Sequence, residues 1–168
     1  MTRRRIASLL LNLFIISLAV YLPARTQNPI SFVGACIRVT DGDTIHVAWH
    51  GNSLKIRIFG IDCPELSQPF GPEARQFSRA LALGKEVRID KKGMDRYGRI
   101  IARVLINGSD LGRELIESGL AWQIRKFCND RDYIAALARA RNGKIGLWSQ
   151  PHPVPPWRYR HQEDGAGQ

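Results

Sequence analysis

The chain has 168 residues, 44% of them hydrophobic, which suits one domain with its own packed core. Its formal net charge of +10 and pI of about 10.2 point to a polyanionic partner, nucleic acid most simply, with an acidic membrane surface as the alternative. Three cysteines permit at most one intramolecular bridge and so exclude a disulfide framework.

Residues 1–24 carry the pattern of a secretory signal. Arg3, Arg4 and Arg5 form a basic start, Ile6 to Leu22 is largely apolar, and Pro23-Ala24 ends the run. The run is long for a signal, so an uncleaved N-terminal membrane anchor stays open beside it. Either way the expected location is secreted or periplasmic, or held at a membrane through residues 6–22. Cleavage removes three arginines and no acid, leaving a charge of about +7. Residues 25–32 are expected to be a linker.

From there the chain alternates. Val33 to Thr40 predicts a strand with Val33, Ala35, Ile37 and Val39 inward. Asp41-Gly42-Asp43 is a turn signal, and Thr44 to Trp49 returns with Ile45, Val47 and Trp49 on one face. Leu54, Ile56 and Ile58 alternate with Lys55, Arg57 and Phe59 in a third strand, sending Arg57 to the face opposite the core. Gly71-Pro72 opens a helix with Ala74, Phe77, Ala80 and Leu81 on its apolar side, closed near Gly84. Lys85 to Asp90 predicts a strand with Val87 and Ile89 inward. Lys91 to Arg99 predicts a charged loop, and Ile100 to Ile106 a fifth strand. A short helix carries Leu111, Leu115 and Ile116 after a cap at Ser109 or Asp110. A third helix, capped by Asp130, turns Tyr133, Ile134 and Leu137 inward and ends at Asn142-Gly143. The Pro-rich and polar stretch 150–168 is expected to be an extended, loosely ordered tail. Five short strands with a helix between the third and fourth predict an α+β fold around a five-stranded Greek-key β-barrel of OB type with three helices. An SH3-like barrel or an open sheet is the alternative.

The chemistry-bearing residues cluster at turns. Asp41 and Asp43 flank one, and Asp62 and Glu65 lie just past the third strand. If the turns meet, they pool carboxylates into one pocket that is unfavourable without a cation, and oxygen-only donors suit Ca2+ or Mg2+. Arg57 offers a planar fork for a phosphate. Asp95-Arg96-Tyr97-Gly98-Arg99 adds further guanidiniums and a ring on which a base can stack. His46, His50, His152 and His161 are scattered and read as structural or surface residues. Cys36, among apolar neighbours, reads as a buried free thiol. Cys63 and Cys128 fall outside regular elements, and a bridge between them stays open.

Taken in order, DGDT, RIFGIDCPE, GPEA, DRYGR, GLAW and GLW resemble the thermonuclease family, the staphylococcal-nuclease-like phosphodiesterases, from about Val33 to Trp148. The resemblance implies an OB-fold nuclease domain over 33–149, using one Ca2+ per chain and cutting DNA and RNA as a monomer with no obligate protein partner. By the same resemblance Asp43 and Asp62 are metal carboxylates, and Cys63 lends the metal its backbone carbonyl. Asp41 stands in the outer shell. Glu65 is the proposed general base, and Arg57 and Arg99 grip the phosphate. Arg96 and Tyr97 face nucleic acid. Arg125 and Phe127 fall near positions where the archetype has pocket tyrosines. The sequence departs from the family in the short loop Leu66 to Phe70, in those lost phenols, and in Gly112-Arg113 at the start of the short helix. A catalytically weak nucleic-acid-binding OB module is the competing reading, but it predicts loss of some of Asp43, Arg57, Asp62, Glu65 and Arg99, and all five are present.

Overall fold

In the computed structural model the described residues are 31–166, with side chains described to residue 162. The expected leader and most of the expected linker lie outside the described residues. Ser31 and Phe32, assigned to that linker by sequence, belong to the first strand.

Among the described residues there are five long strands: β1 (Ser31–Asp41), β2 (Thr44–Trp49), β3 (Asn52–Ile58), β5 (Glu86–Met94) and β6 (Ile100–Ile106). Between them lies the two-residue β4 (Ile61–Asp62). The order is β3-β2-β1-β5-β6, antiparallel throughout, and β6 returns to pair with β3 in parallel. That last pairing closes the sheet, so the α+β, five-stranded barrel expectation holds, and among the described residues no long edge is left open. Ile45, Val47, Ile56, Ile58, Val87, Ile89, Ala102 and Val104 fill the interior. These are the alternate positions of β2, β3, β5 and β6, as period-2 patterning requires.

The first strand is the exception. Val33 and Ile37 are 47% and 51% exposed, while Cys36 and Val39 are fully buried. The pairing of β1 with β2 slips between Cys36 and Arg38. A bulge there takes up one residue and exchanges the faces, so simple alternation along Val33–Val39 selects the wrong side for Val33, Ala35 and Ile37. Trp49, also expected inside, sits at the barrel end with its ring centroid 4.8 Å from that of Phe32. The charged loop 91–99 is shorter than its composition suggests: β5 runs on to Met94, with its own irregularity between Lys91 and Gly93.

Among the described residues four α-helices and one 3-10 turn surround the barrel, one helix more than the sequence predicts. Helix α1 (Gly71–Ala82) buries Ala74, Ser78 and Ala82 on one stripe, and Ala80, expected inward, is exposed. Ser78 instead donates its hydroxyl to the Gly42 carbonyl at 2.6 Å, so a polar residue on the buried stripe fastens the helix to a barrel turn. Two-residue strands β7 (Ser109–Asp110) and β8 (Trp122–Gln123) flank α2 (Leu111–Glu117), and β8 pairs with β4. Helix α3 (Arg131–Asn142) follows, then the 3-10 turn Gly146–Ser149 and α4 (Pro156–Ala166). Asp110 and Asp130 cap α2 and α3 through their side chains, as predicted.

The two capping carboxylates also meet Arg103 of β6, which is ion-paired with both. Tyr133 completes the junction by donating its hydroxyl to Asp110, 3.0 Å away. A Cβ on Gly112 would lie 2.5 Å from that hydroxyl, which gives the unusual glycine at the start of α2 a steric reason. Burial, followed by the charge of Asp110, pushes the Tyr133 phenol well above its ordinary range, so it stays a donor at physiological pH.

Asp130 is held below the usual carboxylate range, chiefly by the hydrogen bond from Arg103, against a smaller opposing effect of burial. Its contribution to stability is therefore present above its unfolded value, about 3.9, and is lost as pH falls through its lower folded value. Asp130→Asn keeps a capping oxygen but loses the ion pair. Urea unfolding at pH 7 and pH 3 should show the variant's deficit at pH 7 shrinking at pH 3, whereas an equal deficit at both would contradict the assignment.

Candidate active site

Three segments are brought to one rim of the barrel. The Asp41-Gly42-Asp43 turn is fixed from both sides: Ser78 holds the Gly42 carbonyl, and the Ile58 N–H donates to the Asp43 carbonyl at 2.9 Å. A methyl on Gly42 would meet Cys63 Cβ at 2.7 Å and Ala74 Cβ at 2.8 Å, so only glycine lets this turn sit under α1. The end of β3 supplies Arg57. Strand β4, through its pairing with β8, places Asp62 beside it, and Glu65 follows after Pro64.

At the centre one guanidinium bridges two carboxylates. Arg57 Nη2 donates to Asp62 Oδ1 at 2.7 Å, and Nη1 forms an ion pair with Asp43 Oδ2. The Nη1 contact is close but not aligned as a hydrogen bond, so it is mainly coulombic. Asp43 also accepts the Cys63 N–H at 2.7 Å and the Thr44 hydroxyl at 3.3 Å. Asp41 stands behind it, accepting the Asp43 N–H at 3.1 Å. The Arg57 side chain is only 15% exposed, so it is not the solvated outward residue that strand alternation alone would suggest.

Burial dominates the electrostatics of the two central carboxylates. Burial raises the Asp43 carboxyl above its ordinary value; Arg57 opposes the rise and Asp41 adds to it. Asp62 is raised too, by burial first, against the hydrogen bond of Arg160 and the charge of Arg57. Burial pulls Arg57 down, but Asp43 and Asp62 outweigh it, and the guanidinium stays charged. Burial, with Asp43 adding to it, drives the Cys63 thiol well above its usual range.

Asp41, Asp43, Arg57, Asp62, Cys63, Glu65, Arg96, Tyr97 and Arg99 line one cavity of about 330 Å³. Nine residues singled out by sequence are thus brought together. Arg99 Nε donates to Asp95 Oδ2 at 2.6 Å, and the Tyr97 ring centroid lies 4.9 Å from the Arg96 guanidinium and 5.7 Å from that of Arg99. Phe127 lies elsewhere, in an adjoining apolar cavity with Phe59, Ile61 and Ile124, for which Arg57 and Arg99 form a shared wall. Arg125 is exposed and lines neither of these cavities. The four histidines line neither.

Two residues at this rim are not visible to sequence reasoning. Arg160, from the stretch expected to be a loose tail, reaches the cavity from α4 and binds Asp62 and Glu65. Gln68 is buried, accepts the Glu65 N–H at 2.8 Å, and donates to the Val154 carbonyl at 3.2 Å. The only sequence signal was Pro155-Pro156 before a Trp, which suits a helix start but says nothing of where the helix packs.

Among the described residues, no three His, Cys, Asp or Glu side chains form a metal cluster. The side-chain donor set is the pair Asp43 and Asp62, converged on one guanidinium. It is all hard oxygen, the donor chemistry that fits a hard cation.

A closed OB-type barrel with arginines and carboxylates gathered at one rim, in a strongly basic chain, defines a class of protein: a hydrolase acting on nucleic acid. Residues 55–150 match the family described as Staphylococcal nuclease homologue. An uncharacterized endonuclease of Haemophilus influenzae is 36% identical over 128 residues, covering 76% of this chain and 72% of the relative. An uncharacterized endonuclease of Escherichia coli is 36% identical over 131 residues, 77% of this chain and 86% of its own. A micrococcal nuclease of Shigella flexneri is 32% identical over 146 residues, 80% and 84% of the two chains. The chain belongs to the staphylococcal nuclease family and is a nuclease.

All three cysteines are free and buried, so the bridge between Cys63 and Cys128 that the sequence left open is not formed. Intact-mass analysis after alkylation without reductant should give three adducts on the denatured protein and slow, partial labelling on the native one. Fewer than three adducts after denaturation would show a disulfide.

Proposed function

We propose that this nuclease hydrolyses phosphodiester bonds of DNA and RNA with Ca2+ as its cofactor, after export from the cytoplasm. The observation that carries the reading is the Arg57 bridge between Asp43 and Asp62, with Glu65 and Arg99 on the walls of the same cavity. Asp43 and Asp62 are the side chains that would hold the metal, Cys63 would add its backbone carbonyl, and Asp41 supports Asp43 from behind. When bound, the cation supplies charge neutralisation at the scissile phosphate.

The other roles belong to the chain's own groups. Glu65, partly exposed on the cavity wall, orients a water and accepts its proton for in-line attack. Arg57 and Arg99 place donors where negative charge gathers on the phosphorus oxygens. Arg57 can do this because its fork is already rigid, held by two carboxylates, so little reorganisation remains at the moment of reaction. Arg96 and Tyr97, at the exposed edge, contact the flanking backbone and bases, and Phe127 offers a ring beyond the shared wall. The export reading is supported by Arg3 to Arg5 followed by the apolar run Ile6 to Leu22.

Activity should require Ca2+ and fall to background in excess chelator, with Mg2+ a poor substitute because it demands near-ideal octahedral geometry. Digestion of DNA and RNA under each condition checks this, and full activity in chelator would remove the metal from the scheme.

Arg57→Lys separates transition-state gripping from mere charge. A lysine keeps the charge but cannot reproduce two parallel donors. Loss of one such donor costs on the order of 10²–10³ in kcat, about 3–4 kcal/mol. KM should move far less, because other basic residues still hold the backbone. Steady-state kinetics of Arg57→Lys beside Arg79→Lys, a control on α1, at fixed salt would show it; a near-normal kcat for Arg57→Lys would remove Arg57 from the transition-state scheme.

A further inference from the structure

The C-terminal stretch reaches Glu65 by two separate routes. Arg160 Nη1 lies 2.5 Å from Glu65 Oε1 and 3.4 Å from Asp62 Oδ1, while Nη2 donates to Asp62 Oδ2 at 2.9 Å. One planar group thus ties the Glu65 carboxylate to the rigid Asp62. The second route is through the backbone: Gln68, 4% exposed, accepts the Glu65 N–H and donates to the Val154 carbonyl just ahead of α4. Helix α4 is itself anchored on the barrel side, where Trp157 packs edge-on against Trp122 of β8, ring centroids 5.6 Å apart. Strand β8 is the partner of β4, which carries Asp62. The loop Leu66 to Phe70 that follows Glu65 is short and exposed at Leu66 and Ser67, and Glu65 itself is in no helix or strand. Without an outside support its carboxylate is free to rotate, since a glutamate has three soft side-chain torsions.

We infer that Arg160 is a positioning residue for Glu65, with Gln68 and Val154 fixing the backbone from which Glu65 projects, so that the C-terminal segment is part of the catalytic architecture. The inference rests on the reading of Glu65 as the base. A guanidinium is suited to the task because its fork can hold two carboxylates in a set relation, whereas an ammonium is a point charge. Its charge is secure: burial pulls it down, but the hydrogen bonds to Asp62 and Glu65 more than reverse that. Arg160 acts through Glu65 and is not itself assigned contact with substrate.

The test is a double-variant cycle on full-length protein, with a defined DNA duplex at fixed salt and saturating Ca2+. Arg160→Ala should lower kcat by about 10–100-fold, the usual effect of removing a group that orients a catalytic one. KM should change by less than about threefold, because Arg57, Arg96 and Arg99 still face the backbone. In a Glu65→Gln background the same substitution should have almost no further effect, since there is no base left to position. Arg160→Lys should stay nearer to Arg160→Ala than to wild type, and it carries the test if Arg160→Ala unseats α4 by tryptophan fluorescence. Calorimetry should show Ca2+ binding by Arg160→Ala no weaker than by wild type. Equal losses in both backgrounds would overturn the inference by making Arg160 a substrate contact. A rise in kcat would overturn it by making Arg160 a plug, and a matching loss of Ca2+ affinity by making it a support for Asp62 alone. If Glu65→Gln by itself leaves kcat unchanged, it is the role of Glu65 that fails, and the positioning role falls with it.

Discussion

Arg57 between Asp43 and Asp62 is the contact on which the rim depends. Each of the three groups is largely withdrawn from water, and none would be tolerable there alone. Burial raises both carboxyls, and the guanidinium only partly opposes this. Neutralising either acid by truncation would leave Arg57 with half its compensation in a poorly hydrated place. The arrangement survives because the backbone leaves no alternative. The Asp43 turn is fastened by Ser78 and Ile58, Arg57 lies in a strand paired on both sides, and Asp62 is in a ladder with Trp122.

Around this buried centre the groups become steadily wetter. Arg57 is enclosed, Glu65 and Arg160 are partly open, and Tyr97 is 70% exposed. That gradient suits a polymer lying across the rim, with enclosed groups at the centre and open ones at the edge. The two cavities divided by Arg57 and Arg99 add a chemical contrast, polar on the carboxylate side and apolar on the Phe127 side. A nucleic acid presents the same contrast, with charged phosphates along its edge and flat rings beside them.

The helical surroundings serve the rim indirectly. Arg103, Asp110, Asp130 and Tyr133 lock α2 and α3 onto β6, and the tryptophans at positions 122, 148 and 157 seat the last helix against the same side. Their common effect is to hold β4 and β8, and so Asp62, in place. The departure of Gly112-Arg113 from the family pattern belongs to this junction, where the glycine makes room for the Tyr133 hydroxyl.

What the sequence determined by itself was whatever depends on neighbours in the chain. Strand alternation in β2, β3, β5 and β6, the caps at Asp110 and Asp130, the glycine stop after α1 and the motif residues at the rim were all legible, because each follows from local backbone preference or from the residue types the chemistry needs. What only the tertiary structure decided were the long-range outcomes. The bulge in β1 reversed the faces of Val33 and Ile37, a choice set by pairing with β2 and not by the strand's own pattern. Ser78, polar in an apolar stripe, was explained by a carbonyl 36 residues away. The final stretch, with so many prolines and charges, carries little helical signal of its own, with the apolar side chains of α4 too few to mark a face. It folds because Trp157 finds Trp122 and Arg160 finds Asp62 and Glu65, partners 35 to 98 residues distant that exist as a surface only once the barrel has closed.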